Sequence, residues 1–504
     1  MPTKVWSATL KGIEATIVSV EADSGGGDFG QITIVGLPDT AISESKERVK
    51  SNLRSCGLDF PRRKITVNLA PANLRKHGAI YDLPITISIL ALKNKFTPNL
   101  KNCLIVGELS LSGEIRPIDG ILSMAIAAKE FGLTTLIIPQ DNIPEASLIN
   151  GLNIIPVVNL RQLIQYLQNK ISISFWKNDH QPAPLLLNNL DIAQVNGQEK
   201  AKRALEIAAA GRHNLLLFGP PGSGKTLLAK TFPGILSPPN QNEKLEITKI
   251  YSAAGALTDR NHLISNRPFR APHHSASSIS VIGGGTYPRP GEISLAHRGV
   301  LFLDEFPEFS RPVLESLRQP LEEGEINITR ARESIKFPAK FILLAAMNPC
   351  PCGYLGDRNQ TCRCGPQQIN KYRRRLSGPI MDRLDLHVAM PRLSLDELTV
   401  KASQETSVII QKRVERATLR QTERFKNLPF LSNSELPSSL IKDFCPLDGA
   451  GRRLLAQAAA PLNLSARAYF KIIKLALTIA DLEIEKRILT RHLAEALQYR
   501  IKLE

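Results

Sequence analysis

Three groups of residues in this 504-residue chain carry chemistry by type and spacing. Gly219-Pro220-Pro221-Gly222-Ser223-Gly224-Lys225-Thr226 fits G-x-x-x-x-G-K-T without a gap. Glycines let such a loop turn and aim backbone N–H groups at phosphate oxygens; Lys225 can reach β- and γ-phosphates, and the Thr226 hydroxyl can ligate Mg²⁺. Downstream, the apolar run Val300 to Leu303 ends in Asp304-Glu305. At a strand end, Asp304 can support Mg²⁺ or its bound water, and Glu305 can orient and activate an attacking water. A bare Asp-Glu pair is common on a solvated surface, but the strand before it and the glycine-rich loop upstream favour the catalytic reading. The third group is Cys350-Pro351-Cys352 and Cys362-Arg363-Cys364, two C-x-C pairs with nine residues between them. Four thiolates satisfy tetrahedral Zn²⁺, and the intervening stretch is long enough to bring the pairs together. Structural zinc is the expected occupant; reduced free thiols and an iron–sulfur centre are the alternatives.

The elements that must hold these groups read as α/β. Leu215 to Phe218 supplies a strand before the glycine-rich loop, and Ala201 to Ala210 and Thr226 to Lys230 supply flanking helices. Further strands are expected at Val300 to Leu303, Phe341 to Ala345 and Leu384 to Val388. Such alternation predicts a parallel sheet with ligands beyond the carboxyl ends of its strands. Residues 1–168 form a separate α/β unit, with strands at Ile32 to Val35, Ile65 to Leu69 and Leu136 to Ile138 and helices near Leu83 to Leu92 and Ile121 to Phe131. The irregular, proline-containing stretch 169–190 reads as a linker and 191–390 as the nucleotide-binding core. Residues 391–504 turn helical through Glu397 to Glu423, Arg452 to Ala459, Ala466 to Asp481 and Thr490 to Gln498, as expected of a lid.

Apolar residues at 43% and charged residues at 22% fit a globular chain rather than extended disorder. The formal charge of +17, from 64 basic and 47 acidic residues, favours a polyanionic partner, since neutralising a phosphate backbone releases counterions. Seven cysteines, four of them clustered, do not resemble a disulfide scaffold. No apolar run reaches the roughly 18 residues of a membrane span, and Met1 to Leu10 lacks the pattern of a secretory signal, so a cytoplasmic location is expected.

Other residues have two readings. Asn348, after an apolar run, can bond a lytic water or γ-phosphate, or simply form a turn before Pro349. Arg383 can stabilise transferring phosphate in a neighbouring subunit, or pair with Asp382 or Asp385. His273-His274 lacks a clear third metal ligand and reads as structural or anion-facing. Glu322 to Lys336 alternates as a projecting hairpin does, which makes Arg330, Arg332 and Lys336 candidates for DNA contact or for salt bridges between subunits.

Taken in order, Gly219 to Thr226, Asp304-Glu305, Asn348, Arg383 and Arg467 resemble the AAA+ ATPases. Pro268-Phe269-Arg270-Ala271-Pro272-His273-His274-Ser275, Ser377-Gly378-Pro379 and Thr478-Ile479-Ala480-Asp481-Leu482 narrow the resemblance to the magnesium-chelatase-like branch of that family. The resemblance implies an AAA+ P-loop core with a C-terminal helical lid, ATP and Mg²⁺ as cofactors, and a homo-oligomer, a hexamer by family. It also implies catalytic roles for Lys225, Glu305 and Asn348, a trans-acting finger at Arg383 and a cis γ-phosphate sensor at Arg467. Within this branch the chain is most similar to members that act on DNA in natural transformation. An ATP-dependent DNA helicase follows as the expectation, one that moves or unwinds branched or single-stranded DNA during recombination. A motor that remodels a chelatase partner and a noncatalytic, nucleotide-locked DNA scaffold are the alternatives.

Residues 1–168 resemble the Lon-protease-like (ribosomal protein S5 domain 2-like) fold, most clearly through Gly107 to Gly120 and the helix after it. Active Lon proteases use a serine nucleophile and a lysine base. The resemblance puts Asp82 and Met124 at those places, so no proteolysis is expected. A Ser112–Lys129 pair is the alternative, and Arg62, Arg63, Lys64, Arg75 and Lys76 read as phosphate contacts or as a solvated basic face.

Overall fold

A computed structural model describes residues 2–500 except 26–29, 59, 62, 93–99, 177–189, 258–262, 286, 331–332, 358–359, 395–404 and 463. The chain divides into two units, Met1–Pro184 with Lys244–Ile264, and Leu185–Glu243 with Ser265–Glu504.

The first unit is built on a seven-stranded mixed sheet in the order Ile32–Val35, Lys64–Ala70, Glu14–Gly25, Thr3–Lys11, Cys103–Ile105, Thr135–Pro139 and Asn153–Val157. The two longest strands, Thr3–Lys11 and Glu14–Gly25, pair antiparallel around a tight turn at Gly12, whose φ of 67° suits glycine. Alternation divides the strands between two apolar layers, Ile137 facing one and Leu136 and Ile138 the other. Helix Asp82–Ala91 is buried from Asp82 to Leu90, which accounts for its apolar residues on every side.

Helix burial explains why Asp82 is polar yet inaccessible. Its carboxylate accepts from Arg48 Nε at 2.7 Å and Nη2 at 3.1 Å, from the Leu109 backbone at 3.3 Å, and from the Ser45 hydroxyl. Met124 is buried in helix Ile121–Glu130. Ser112 hydrogen-bonds Ser110 at 2.8 Å, while Lys129 donates to the Asn150 carbonyl at 2.8 Å, so each member of the alternative pair has a different partner. Lys76 corrects the basic-face reading: it is fully buried, and its ammonium donates to the carbonyls of Gly36 and Pro71. Arg62 lies outside the described residues.

The second unit carries a five-stranded, all-parallel sheet in the order Phe269–Arg270, Val300–Leu303, Ile342–Met347, Leu215–Phe218, Leu386–Ala389. The strand that precedes the glycine-rich loop is therefore interior, between the strand that leads to Asn348 and the edge strand Leu386–Ala389, and the strand that leads to Asp304 lies one beyond the former. Antiparallel Glu325–Arg330 and Glu333–Pro338 form the expected hairpin. C-terminal helices Ser407–Arg424, Gly449–Ala459, Ala466–Leu482 and Thr490–Gln498 share an apolar core with helix Glu199–Gly211 and the sheet. Residues 397–404 of the longest expected helix lie outside the described residues.

The Thr478 to Leu482 motif is structural in this unit. Buried Asp481 accepts from Arg424 at 2.8 Å and Asn433 at 2.9 Å, and Thr478 bonds His213 at 2.8 Å. These contacts fix the lid helices to one another and Thr478 to the residue two before strand Leu215–Phe218.

Candidate functional site

Parallel strands bring the candidate residues together because their carboxyl ends share one edge. Phe218 lies in register with Met347, and Leu303 with Ala345, so Gly219, Asn348 and Asp304 leave the sheet side by side. Only glycine fits at 219: a Cβ there would lie 2.1 Å from the Met390 carbonyl oxygen. Gly222 and Gly224 take φ of 79° and 86°, the left-handed turns that aim successive backbone amides into one concavity before helix Lys225–Thr231.

Lys225 threads back into this loop. Its ammonium donates to the carbonyls of Gly219 at 2.8 Å and Pro220 at 2.9 Å, and to Asn348 Oδ1 at 3.3 Å. Burial holds its pKa below the ordinary lysine value, opposed by the charge of Asp304. The Thr226 hydroxyl donates to Asp304 Oδ2 at 2.6 Å, and the other carboxylate oxygen accepts the Glu305 amide at 2.9 Å. A hydroxyl and a carboxylate in contact form the hard oxygen donor set that Mg²⁺ takes, and the loop amides with Lys225 suit a polyphosphate.

Glu305 is exposed and adopts left-handed φ of 52°, a backbone strain carried by a non-glycine residue at the candidate centre. His274 Nδ1 lies 2.9 Å from its Oε2, and the His273 ring packs on His274 with centroids 4.2 Å apart. The histidine pair therefore faces an anion, the Glu305 carboxylate. Arg270 of the same motif forms a two-point pair with Glu292 at 2.6 and 2.7 Å.

Arg383 and Arg467 converge elsewhere. Both pair with one carboxylate oxygen of Glu322, at 2.6 and 2.8 Å, in a cleft of about 830 Å³ that also contains Arg267, Lys340 and Lys471. No phosphate-loop residue is among those lining that cleft. Arg383 pairs with neither of its neighbouring aspartates. Asp385 instead bonds the Asn214 amide at 2.9 Å and Lys471 at 2.7 Å; burial alone would raise its pKa, but Lys471 and His213 hold it well below the usual range.

The four cysteines also meet. Their sulfurs lie within 4.8 Å of one another, and Cys350, Cys352 and Cys362 are separated by 3.4 to 3.6 Å. A tetrahedron of Zn–S bonds of about 2.3 Å has edges of about 3.8 Å, whereas a disulfide needs about 2.05 Å. Backbone N–H groups of Tyr354 and Arg363 hold the Cys352 thiol down to about 6, whereas burial and the neighbouring thiols push Cys362 up to about 12 and Cys364 up as well.

In the hairpin, exposed Lys336 pairs with Glu325 at 2.6 Å. Arg330 stands opposite Glu333 in the strand register, and Arg332 lies outside the described residues.

The strand order and the grouping of Lys225, Thr226, Asp304 and Asn348 at one sheet edge define a P-loop protein of the AAA+ class. Models of the magnesium chelatase subunit ChlI match residues 20–142 and 191–398, and a model of the ChlI C-terminal region matches 404–500. The chain belongs to this magnesium-chelatase-like AAA+ family. It is 43% identical to "Competence protein ComM" of Haemophilus influenzae over 98% of this chain and 97% of that one. It is 42% identical to the uncharacterized protein YifB of Salmonella typhimurium, over 97% and 95%. A 144-residue match at 32% identity to a Lon protease of Aster yellows witches'-broom phytoplasma covers 26% of this chain and 18% of that one, in keeping with the Lon-like fold. Among the described residues no helix is long and apolar enough to cross a membrane.

Proposed function

We propose that this protein is an Mg²⁺-dependent ATP hydrolase that works as an oligomeric ring and moves along DNA, in its most specific form driving branch migration or unwinding of recombination intermediates. The observation that carries the hydrolase reading is the Lys225 ammonium, held by two loop carbonyls and Asn348 beside the Thr226–Asp304 contact. Those partners are exchangeable: phosphate oxygens can replace the carbonyls at Lys225, and Thr226 and Asp304 would together hold Mg²⁺. When bound, that ion neutralises phosphate charge. Glu305 orients the attacking water and takes its proton, with His274 setting the carboxylate position. Asn348 holds Lys225 on one side and faces the transferred phosphate on the other.

Arg383 and Arg467, sharing Glu322, act together on the nucleotide of an adjoining subunit, and the ring is six-fold by family resemblance. A finger of this kind contributes about 10³-fold or more in turnover. DNA as the load rests on the +17 charge, the Glu325–Pro338 hairpin with its basic residues, and similarity over nearly the whole chain to a competence protein. Arg330, Arg332 and Lys336 supply phosphate contacts that grip without reading sequence. The cysteine cluster holds structural Zn²⁺ rather than a catalytic ion, because four thiolates leave no open position.

The test is ATP-dependent unwinding of forked DNA and of a mobile four-way junction by wild type, Glu305→Gln and Arg330→Ala. Glu305→Gln should retain nucleotide-dependent assembly and lose movement, and Arg330→Ala should lose DNA work more than basal hydrolysis. Equal remodelling by all three proteins sinks the motor. ATP turnover indifferent to DNA but stimulated by a chelatase-type protein partner establishes the alternative load.

A further inference from the structure

The cysteine loop does not stand apart from the nucleotide site. Gly353, one residue after Cys352, takes φ of 84°, and a Cβ on it would lie 2.5 Å from Pro221 Cδ in the phosphate loop. Arg392 forms a second tie, donating from Nε and Nη2 to the Pro221 carbonyl at 3.3 and 3.2 Å. The same guanidinium pairs with Asp357 of the cysteine loop at 3.4 Å and lies 5.5 Å from the centre of the Tyr354 ring. Asp357 has a side chain only 1% exposed, and its carboxylate also accepts the Gln360 backbone N–H at 3.2 Å.

Peptide planarity gives these contacts a consequence. The C=O of Pro221 and the N–H of Gly222 belong to one trans peptide and point in opposite directions. Gripping the Pro221 carbonyl from outside therefore fixes the Gly222 N–H on the inside, where the loop meets phosphate. Arg392 can hold that carbonyl only while Asp357 and Tyr354 hold Arg392. Both residues belong to the segment between the C-x-C pairs.

We infer that metal occupancy of the four-cysteine site sets the nucleotide affinity of the phosphate loop, with Arg392 as the positioning residue that transmits it. The inference rests on the proposed zinc and nucleotide readings. It adds that the site is regulatory: a protein that loses its metal loses its grip on ATP before it loses its fold.

The experiment uses full-length protein, with metal content measured by elemental analysis and the dissociation constant of a non-hydrolysable ATP analogue measured with Mg²⁺ by calorimetry. Wild type should carry about one zinc per chain. Cys362→Ser with Cys364→Ser should carry none and bind the analogue at least about tenfold more weakly, and Arg392→Ala should keep the zinc and still lose about tenfold, the worth of one charge-assisted hydrogen bond. Wild type without bound metal overturns the zinc reading and the coupling with it. Zinc-loaded wild type whose analogue affinity is unchanged by both substitutions overturns the coupling alone. Should the cysteine variant fail to fold, Arg392→Ala decides: unchanged affinity at full zinc content refutes the transmission, and a tenfold loss supports it.

Discussion

Two buried charges in this molecule, Asp82 of the first unit and Lys225 of the second, have opposite surroundings. Asp82 is enclosed by Arg48 and Ser45, which helix Thr40–Ser55 brings to it, and by the backbone amide of Leu109 in strand Glu108–Leu109. Nothing in that set can leave without stranding a charge in an apolar layer. Lys225 is held by carbonyls and an amide oxygen, neutral acceptors that a phosphate outcompetes. A buried charge consumed by an opposite charge is architecture, whereas one resting on neutral groups is poised for a ligand. By that criterion the buried carboxylate at the resemblance-derived nucleophile position of the Lon-like unit belongs to its packing.

The largest effect expected from breaking this contrast is at Lys225. Lys225→Ala should reduce ATP turnover by at least about 100-fold, since it removes the only cation the loop offers to β- and γ-phosphates. Thermal unfolding should hardly move, because the ammonium has no charged partner to strand. A large loss of stability with undiminished turnover would reverse the assignment.

Asp82→Ala should behave the opposite way. It strands Arg48, whose side chain is 21% exposed and so partly hydrated, at a cost of about 2–3 kcal/mol. The unfolding midpoint of the first unit should fall by about 5–10 °C. Turnover per folded molecule should stay within about twofold of wild type, because removing a structural pair does not alter the loop. Equal stability in the variant would show that the carboxylate is held for something other than the fold.

Legibility in the sequence follows the same division. Gly219 to Thr226, Asp304-Glu305 and the two C-x-C pairs are short segments whose geometry is local, and the strands beneath them are apolar runs bounded by turn residues. Leu215–Phe218 and Val300–Leu303 accordingly occupy the expected residues. The antiparallel pair Thr3–Lys11 and Glu14–Gly25 was not singled out, since Lys, Glu, Ser and Thr interrupt its apolar alternation. Contacts between distant segments left no signal: His274 with Glu305, Arg392 with Pro221 and Asp357, and Glu322 with two arginines each depend on which chain ends the sheet brings together. Lys76 reads like any surface lysine, and only the closure of its loop on Gly36 and Pro71 buries it. The resemblance assigns Arg467 to the γ-phosphate of its own subunit, and nothing in its neighbourhood in sequence marks Glu322 as its partner.

Glu322 supplies the smallest and most discriminating change. Its carboxylate is 42% exposed and neutralises two arginines at once, so it shares features of both regions: it is paired, as Asp82 is, yet wet enough to exchange, as the partners of Lys225 are. If Arg383 and Arg467 work on an adjoining subunit's phosphate, Glu322 competes with that phosphate for both. Glu322→Gln keeps the shape and removes the competing charge. It should therefore tighten nucleotide-dependent self-association by about three- to tenfold, as removal of a partly screened ion pair allows, with little change in thermal stability. Analytical ultracentrifugation with and without ATP analogue reads this directly, and Arg383→Ala should abolish the gain in the double variant. Weaker association in Glu322→Gln would mean that the carboxylate builds the interface, and the arginines would then belong with the structural pairs.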